Sequence, residues 1–190
     1  MEAFSSGTLA SAGSFRCDSC GFAVALHERD MVPSCPECGG DSFRRASLFG
    51  EEIRAPRHHD VEGAPDWLEE ARDALVRDGD YLAFEDGERV RVVPLQDGWT
   101  RIGRSLSADI RFDDPTVSRR HALVYREPTG GTRILDDRSL NGVFLNGDRV
   151  ELHELEDGDR IAVGRFTLYF LEAHAGGPGV APEPRSAVAG

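Results

Sequence analysis

The chain has 190 residues, of which 34 are acidic and 22 basic, giving a formal net charge of −12. This length accommodates one ordinary domain and a smaller one, or two small domains. The negative charge argues against a protein whose main role is to hold nucleic acid or an anionic membrane surface, because both need a broad positive field. Every basic residue is an arginine, so an arginine is informative here only through its position.

The N-terminal residues give no sign of a targeting segment. Residues 1–13 are small and polar, lack the basic and apolar regions of a secretory signal, and are predicted to be disordered. No run of about 18 consecutive apolar residues, the length that a membrane-spanning helix needs, occurs in the sequence. We therefore expect a cytoplasmic protein without a membrane role, in which thiols stay reduced and the four cysteines need an explanation other than disulfide bonds.

Residues 14–48 contain all the cysteines, in two C-x2-C pairs separated by fourteen residues: Cys17, Cys20, Cys35 and Cys38. Two such turns direct four sulfurs at one ion, a set that suits one structural zinc ion and leaves no open position for catalysis. Iron in the same S4 site and a redox-active dithiol are the alternatives. The segment resembles a zinc ribbon, and it is expected to fold because it binds metal. The apolar residues available for its core are Phe15, Phe22, Val24, Leu26 and Phe43.

Residues 49–79 are predicted to be a linker that contains one amphipathic helix at about 65–78. Pro65 suits the first helical position. Five apolar residues then lie on one face at helical spacing: Trp67, Leu68, Ala71, Leu75 and Val76. We expect this face to pack on the following domain, with partner binding as the alternative. The adjacent His58 and His59 are expected to be solvated rather than to bind metal.

From residue 80 to residue 172 the hydrophobic period changes to two, which is typical of strands. The predicted strands are Arg89–Val93, Asp109–Phe112, His121–Tyr125, Thr132–Leu135, Arg149–Leu152, Arg160–Val163 and Phe166–Phe170. Turn signals such as Asn146-Gly147 separate them. Many short strands with closely spaced turns indicate an all-β sandwich. Residues 173–190, rich in alanine, glycine and proline, are predicted to be a disordered tail.

Four loop motifs follow one another in this region: IGRS at 102–105, SRRH at 118–121, SLNGV at 139–143, and NG at 146–147. Singly, each motif is explained by local structure, since Asn-Gly is a common hairpin turn and serine often caps turns. Together, in this order and spacing, they resemble a forkhead-associated domain over residues 80–172. The resemblance implies a mainly β fold, in which an FHA-type β-sandwich follows a small zinc ribbon and one linker helix. It also implies that loops at one end of the sandwich bind a phosphothreonine-containing peptide.

The resemblance further implies which residues bind that peptide: Arg104, Ser118, Arg119, Ser139 and Asn141. The Arg104 guanidinium would pair with the phosphate through charge-assisted hydrogen bonds. Ser118 would donate its hydroxyl to the phosphate, and Asn141 would hold the peptide backbone beside the phosphothreonine. Ser139 is a substitute for the hydroxyl that many family members have at the position of Leu140. The residues implied to support the loops are Gly103, His121 and Gly142.

No motif of an enzyme is present: there is no glycine-rich phosphate loop, nucleophile elbow or HExxH sequence. We expect a phosphothreonine-binding adaptor downstream of a serine/threonine protein kinase, with the ribbon as a second interaction module. The alternative is a nucleic-acid or transcription-associated protein that uses the ribbon and is recruited through the FHA domain; the net charge argues against it. A further hypothesis is that Thr8, in a flexible segment, docks in the chain's own site when it is phosphorylated.

Overall fold

The computed structural model describes residues 3–46 and 63–173. The first part of the predicted linker, residues 49–62 with His58 and His59, lies outside the described residues, as does the predicted tail beyond Ala173. Over the ranges that are described, no helix is both long and apolar enough to cross a membrane. The described fold is mainly β, with a single helix, as the sequence predicts.

A four-stranded antiparallel sheet forms the N-terminal unit, with the strands in the order β1-β4-β2-β3. The strands are β1 (Ala3–Ser5), β2 (Gly13–Cys17), β3 (Ala23–Leu26) and β4 (Ser42–Arg45). All five predicted core residues of this unit are buried. The prediction of disorder over residues 1–13 is wrong from Ala3 onward. β1 gains its order from backbone pairing with β4 and from Phe4, whose ring packs edge-on against Phe15 at 4.9 Å.

Two further sheets pack face to face as a sandwich. One has five strands in the order β13-β10-β9-β7-β8, and the other has six in the order β12-β11-β14-β15-β5-β6. The first half of the strands are β5 (Gly79–Asp86), β6 (Arg89–Pro94), β7 (Gly98–Gly103), β8 (Ile110–Arg111), β9 (Ala122–Arg126) and β10 (Thr132–Asp136). The second half are β11 (Val143–Leu145), β12 (Asp148–Val150), β13 (Leu152–Leu155), β14 (Arg160–Val163) and β15 (Phe166–Ala173). Between the described strands the pairing is antiparallel, apart from β7 with β8.

The alternation of residues along β15 fixes how the sandwich is filled. Leu168 and Phe170 point into the core between the two sheets, where both are fully buried. Tyr169 and Leu171 point to the other face of the sheet, and they are buried there as well. Because successive side chains of a strand alternate between faces, a strand that is apolar on both faces needs a second covering layer.

That layer is the helix α1 (Asp66–Asp73), which packs on the outer face of the six-stranded sheet. Leu68 is buried against β5 and β15, and the ring of Trp67 meets that of Tyr169 edge-on at 5.6 Å. This confirms that the helix packs on the following domain. The helix is shorter than predicted, and Val76 is 95% exposed, because the chain leaves helical geometry after residue 73 to enter β5.

The predicted strand Arg149–Leu152 is two strands that belong to different sheets. β12 pairs with β11 in the six-stranded sheet, whereas β13 pairs with β10 in the five-stranded sheet. The chain crosses from one sheet to the other at Glu151, whose carbonyl oxygen accepts a hydrogen bond from the Asp136 N–H at 2.9 Å. Local periodicity cannot reveal such a crossing, since both segments alternate in the same way.

Candidate functional site

Three loops meet at one end of the sandwich: 104–109 after β7, 112–121 before β9, and 137–142 after β10. The first two are joined by backbone hydrogen bonds, from the Arg104 N–H to the Ser118 oxygen at 2.9 Å and from the Ser105 N–H to the Arg119 oxygen at 3.1 Å. Gly103 makes this approach possible, because a Cβ atom at that position would lie 2.4 Å from the Arg119 oxygen. The glycine therefore serves close packing of two loops.

His121 braces the second and third loops from within. The ring is fully buried, and its Nδ1 accepts a hydrogen bond from the Ser118 N–H at 3.0 Å. Since Nδ1 is an acceptor, Nε2 carries the proton of the neutral ring and donates to the Gly142 oxygen at 3.1 Å. Burial lowers the pKa of His121 to about 4, so the ring is neutral at physiological pH. Gly142 itself has a φ of 85°, a conformation that favours glycine.

The predicted phosphate-binding hydroxyls lie beside each other on these loops. Ser118 Oγ accepts a hydrogen bond from the Leu140 N–H at 2.9 Å, which leaves its own proton to donate. The Ser139 N–H is fixed by Asp136 Oδ1 at 2.7 Å, while Ser139 Oγ is buried without a hydrogen-bond partner among the described residues. A buried hydroxyl without a partner is costly in a protein on its own and is consistent with a ligand-binding role.

The neighbouring arginines differ in what they can do. Arg119 is exposed at the rim of the site. Arg120 instead forms two hydrogen bonds with the Asp137 carboxylate, at 2.7 and 2.6 Å, and these hydrogen bonds lower the pKa of Asp137. Arg119 is therefore available to an incoming acidic group, whereas Arg120 is already paired.

Asn141 is buried, and its side chain holds the backbone of a residue in the other unit. Its Oδ1 accepts a hydrogen bond from the Ala23 N–H at 2.9 Å, and its Nδ2 donates to the Ala23 oxygen at 2.9 Å. Nδ2 also donates to the Thr116 oxygen at 3.0 Å, which fixes the orientation of the carboxamide. Both backbone groups of one residue in an extended strand are thus satisfied by one side chain.

The same strand makes two more contacts two residues further on. Arg104 Nη1 donates to the Ala25 oxygen at 2.7 Å, and the Ala25 N–H donates to the Pro115 oxygen at 2.7 Å. Arg104 Nε is buried without a partner among the described residues. Burial lowers the pKa of the Arg104 guanidinium from its ordinary value, and the carboxylate of Asp30, in the N-terminal unit, is the charge that most opposes this shift.

A third contact comes from Arg16 on β2, which is 5% exposed. Its Nη1 donates to the Gly21 oxygen at 2.8 Å, and its Nη2 donates to the Leu140 oxygen at 3.3 Å. Sequence reasoning missed Arg16, Ala23 and Ala25. In β3, alanines alternate with the larger Val24 and Leu26, which face the ribbon core. This alternation is a signal that another segment packs closely on the alanine face of the strand.

The four cysteines come together as predicted, with all four sulfurs within 4.8 Å of one another. The sulfurs of Cys17 and Cys38 are 3.6 Å apart, and those of Cys20 and Cys35 are 3.5 Å apart. Zinc–sulfur bonds of about 2.3 Å place tetrahedral sulfurs about 3.8 Å apart, so the donor set fits zinc. Burial raises the pKa of Cys35 to about 11, and a bound cation would oppose this effect by stabilising the thiolate.

Thr8 lies in an ordered turn of the N-terminal unit and not in a flexible segment. Its hydroxyl donates to the Ser5 oxygen at 2.6 Å, and its carbonyl oxygen accepts a hydrogen bond from the Val32 N–H at 2.9 Å. The segment that lies on the loops of the sandwich is β3. The hypothesis that Thr8 docks there has no support from this arrangement.

The chain therefore belongs to a class of proteins with two units, a four-cysteine sheet followed by a β-sandwich with three loops at one end. The family of the FHA domain matches residues 100–164, and that of the zinc-ribbon containing domain matches residues 1–47. The chain belongs to the FHA-domain family and carries a zinc ribbon in front of that domain.

Individual relatives match part of the chain. The glycogen accumulation regulator GarA of Mycolicibacterium smegmatis is 43% identical over 124 residues, which are 65% of this chain and 75% of the relative. The ABC transporter ATP-binding/permease protein Rv1747 of Mycobacterium tuberculosis is 44% identical over 78 residues, which are 41% of this chain but 9% of the transporter. A solved structure from a study of phosphothreonine-dependent FHA domain interactions is 30% identical, covers 50% of this chain and 97% of its own, and has a TM-score of 0.47.

Proposed function

We propose that this protein is an adaptor that binds phosphothreonine peptides and acts downstream of a serine/threonine protein kinase. The main support for this proposal is the pair of hydrogen bonds from the Asn141 side chain to the N–H and C=O of Ala23. A carboxamide that holds an extended backbone recognises a peptide regardless of the side chain at that residue. The guanidinium of Arg104 bonds the same strand at Ala25, so a cationic group that can bind a phosphate lies beside the carboxamide that binds the peptide backbone.

The phosphate would be bound by Arg104, Ser118 and Ser139. At these loops, Arg104 Nε and Ser139 Oγ are buried polar atoms that lack hydrogen-bond partners among the described residues, and Ser118 retains a hydroxyl proton to donate. A guanidinium fork matches phosphate oxygens with charge-assisted hydrogen bonds, which are about twice as strong as neutral ones. The overall charge of −12 does not oppose this, because a dianionic group responds most strongly to the charges within a few ångströms. Arg119 would add a contact at the rim.

The cysteine cluster would hold one structural zinc ion. Four thiolates close the coordination shell, so the ion would supply folding stability and no reactive position. The buried ribbon core is small, which supports a dependence of this unit on metal. We place the protein in the cytoplasm, where thiols stay reduced and can serve as ligands.

A regulatory role without catalysis agrees with the name of the mycobacterial relative, which is that of a regulator. The nucleic-acid alternative has less support, because three of the four arginines of the ribbon are engaged elsewhere. Arg16 is buried against the sandwich, Arg44 bonds Asp18, and Arg45 bonds Ser11.

The test is a capture experiment with three immobilised peptide libraries that differ only at one fixed residue, which is phosphothreonine, phosphoserine or threonine. The full chain should bind the phosphothreonine library, and Arg104→Ala should strongly reduce this binding. Arg133→Ala is the matched control, because it removes an exposed guanidinium that pairs with Glu127 elsewhere on the sandwich. Equal capture by the phosphorylated and unmodified libraries would refute the proposal.

A further inference from the structure

The loops that we propose to bind phosphopeptides are already in contact with a strand of the same chain. β3 is an edge strand of the ribbon sheet, with β2 on one side. The backbone groups of Ala23 and Ala25 face away from β2 and are bonded by Asn141, Pro115 and Arg104. Alternate residues of a strand direct their N–H and C=O groups to the same side, so these four groups form one continuous row.

We propose that β3 is an internal, unphosphorylated occupant of the FHA binding loops, and that a phosphopeptide binds by displacing the ribbon from them. This inference rests on the proposed function. An exposed edge strand normally needs protection from pairing with other chains, and here the loops of the sandwich provide it.

The ribbon reproduces the backbone of a peptide but not its phosphate. All four outward backbone groups of Ala23 and Ala25 are satisfied, those of Ala23 by Asn141 and those of Ala25 by Pro115 and Arg104. The buried Arg104 Nε and Ser139 Oγ atoms have no partner among the described residues. Asp30 is the acidic residue whose charge acts most strongly on Arg104. A phosphate would complete the hydrogen bonds that β3 leaves unmade, so a phosphopeptide displaces the ribbon where an unmodified peptide does not.

Arg16 forms a hydrogen bond between the ribbon and the loop 137–142 of the sandwich. It is buried, and it spans from the Gly21 oxygen within the ribbon to the Leu140 oxygen on the sandwich. Neither group belongs to the residues that would bind the phosphate. Arg16 therefore affects the position of the ribbon without being part of the binding site, which makes it a positioning residue that can be changed separately.

Two variants of the full, metal-loaded chain test the proposal by independent routes. Arg16→Ala removes the hydrogen bond from the ribbon to the Leu140 oxygen. Ala25→Pro removes the N–H that bonds Pro115 and keeps the pairing with β2, since proline is tolerated where the N–H of an edge strand points outward. Arg44→Ala is the matched control for charge, because Arg44 bonds Asp18 on the ribbon itself. Both test variants should bind the best phosphothreonine peptide of the library about fivefold more tightly than the wild type, the factor that corresponds to one net hydrogen bond. Arg44→Ala should match the wild type.

The direct readout is amide hydrogen exchange of the wild-type chain over residues 22–26. Saturation with that peptide should accelerate exchange of the Ala23 and Ala25 amides, which bond Asn141 and Pro115, whereas the same peptide with unmodified threonine should not change it. If the phosphopeptide binds equally to all variants and exchange over residues 22–26 stays constant, the ribbon is not displaced and this inference fails while the proposed function stands. If no variant binds any phosphopeptide, the proposed function and this inference fail together. Measuring the zinc content of each variant ensures that the ribbon is intact.

Discussion

Asn141 and Ala23 are 118 positions apart in the sequence, yet two hydrogen bonds of 2.9 Å join the carboxamide of one to both backbone groups of the other. This pair links a loop of the sandwich to the edge of the ribbon. Substitutions on either side are therefore expected to change both the docking of the ribbon and the binding of a peptide.

Replacement of Arg104 by alanine should weaken phosphothreonine-peptide binding by about 2–5 kcal/mol, as expected for the loss of one member of a buried charge pair. The same change removes the hydrogen bond to the Ala25 oxygen, so it also loosens the ribbon. Isothermal titration calorimetry with the library peptide measures the affinity. Arg104→Lys should not restore it, because an ammonium cannot reproduce the planar fork. Wild-type affinity in the lysine variant would show that the positive charge alone is needed for binding.

Gly103→Ala should destabilise the protein by about 1–3 kcal/mol, the usual cost of forcing extra volume into a packed region. The added Cβ would lie 2.4 Å from the Arg119 backbone oxygen, which cannot move without separating the two loops. Urea denaturation measures the free energy of unfolding. Gly13→Ala is the control, since its nearest neighbour is the movable end of the Arg45 side chain at 2.8 Å. Equal stability of the two variants would contradict the close approach of the loops.

Acidification should destabilise the protein through His121. The pKa is about 4 in the folded state and about 6.5 in the unfolded chain, so between these values the unfolded state binds more protons. The contribution of His121 to stability is therefore fully present above pH 6.5 and falls by about 3 kcal/mol as the pH drops to 4.

Urea titrations of the wild type and of His121→Gln at pH 4.5 and 7.5 measure this effect. The substitution removes the proton-binding group. The stability of that variant should depend less on pH than that of the wild type. The exposed His153 provides the control, and His153→Gln should keep the wild-type pH dependence. An unchanged dependence in His121→Gln would show that other groups cause the acid sensitivity.

Removal of metal should unfold the ribbon and leave the sandwich folded, because the ribbon core is a separate cluster of apolar residues. Zinc release by a chelator, followed with a metal-sensitive dye, should give one equivalent per chain. The stripped protein should bind the phosphothreonine peptide more tightly, since β3 no longer holds the loops. A loss of peptide affinity on stripping would mean that the ribbon supports the binding site instead of covering it.

Leu68→Ala should cost about 2–3 kcal/mol of stability, within the range for truncating a buried leucine. The side chain is 5% exposed and packs between the helix and the outer face of the six-stranded sheet. Val76→Ala is the matched control, because Val76 is 95% exposed and its truncation should have almost no effect. Thermal unfolding of both variants makes the comparison. Similar melting temperatures would show that the helix is not packed as described.

Prediction from sequence succeeded where the signal is local. The C-x2-C pairs brought four sulfurs together, and β14 has the predicted bounds, Arg160–Val163. It failed where a segment takes its structure from a distant partner. β1 is ordered by pairing with β4, and the chain crosses between sheets at Glu151, and neither event leaves a local pattern.

The sequence by itself determined that the chain combines a four-cysteine unit with an FHA-type sandwich, because metal-ligand spacing and turn motifs are encoded within a few residues of each other. It also indicated Arg104, Ser118 and Asn141 as one cluster, and the structure brings their loops together. Only the tertiary structure decided what Asn141 holds. The N–H and C=O of Ala23 are the same groups that every residue carries, so no side-chain pattern could assign them to a site 118 positions away.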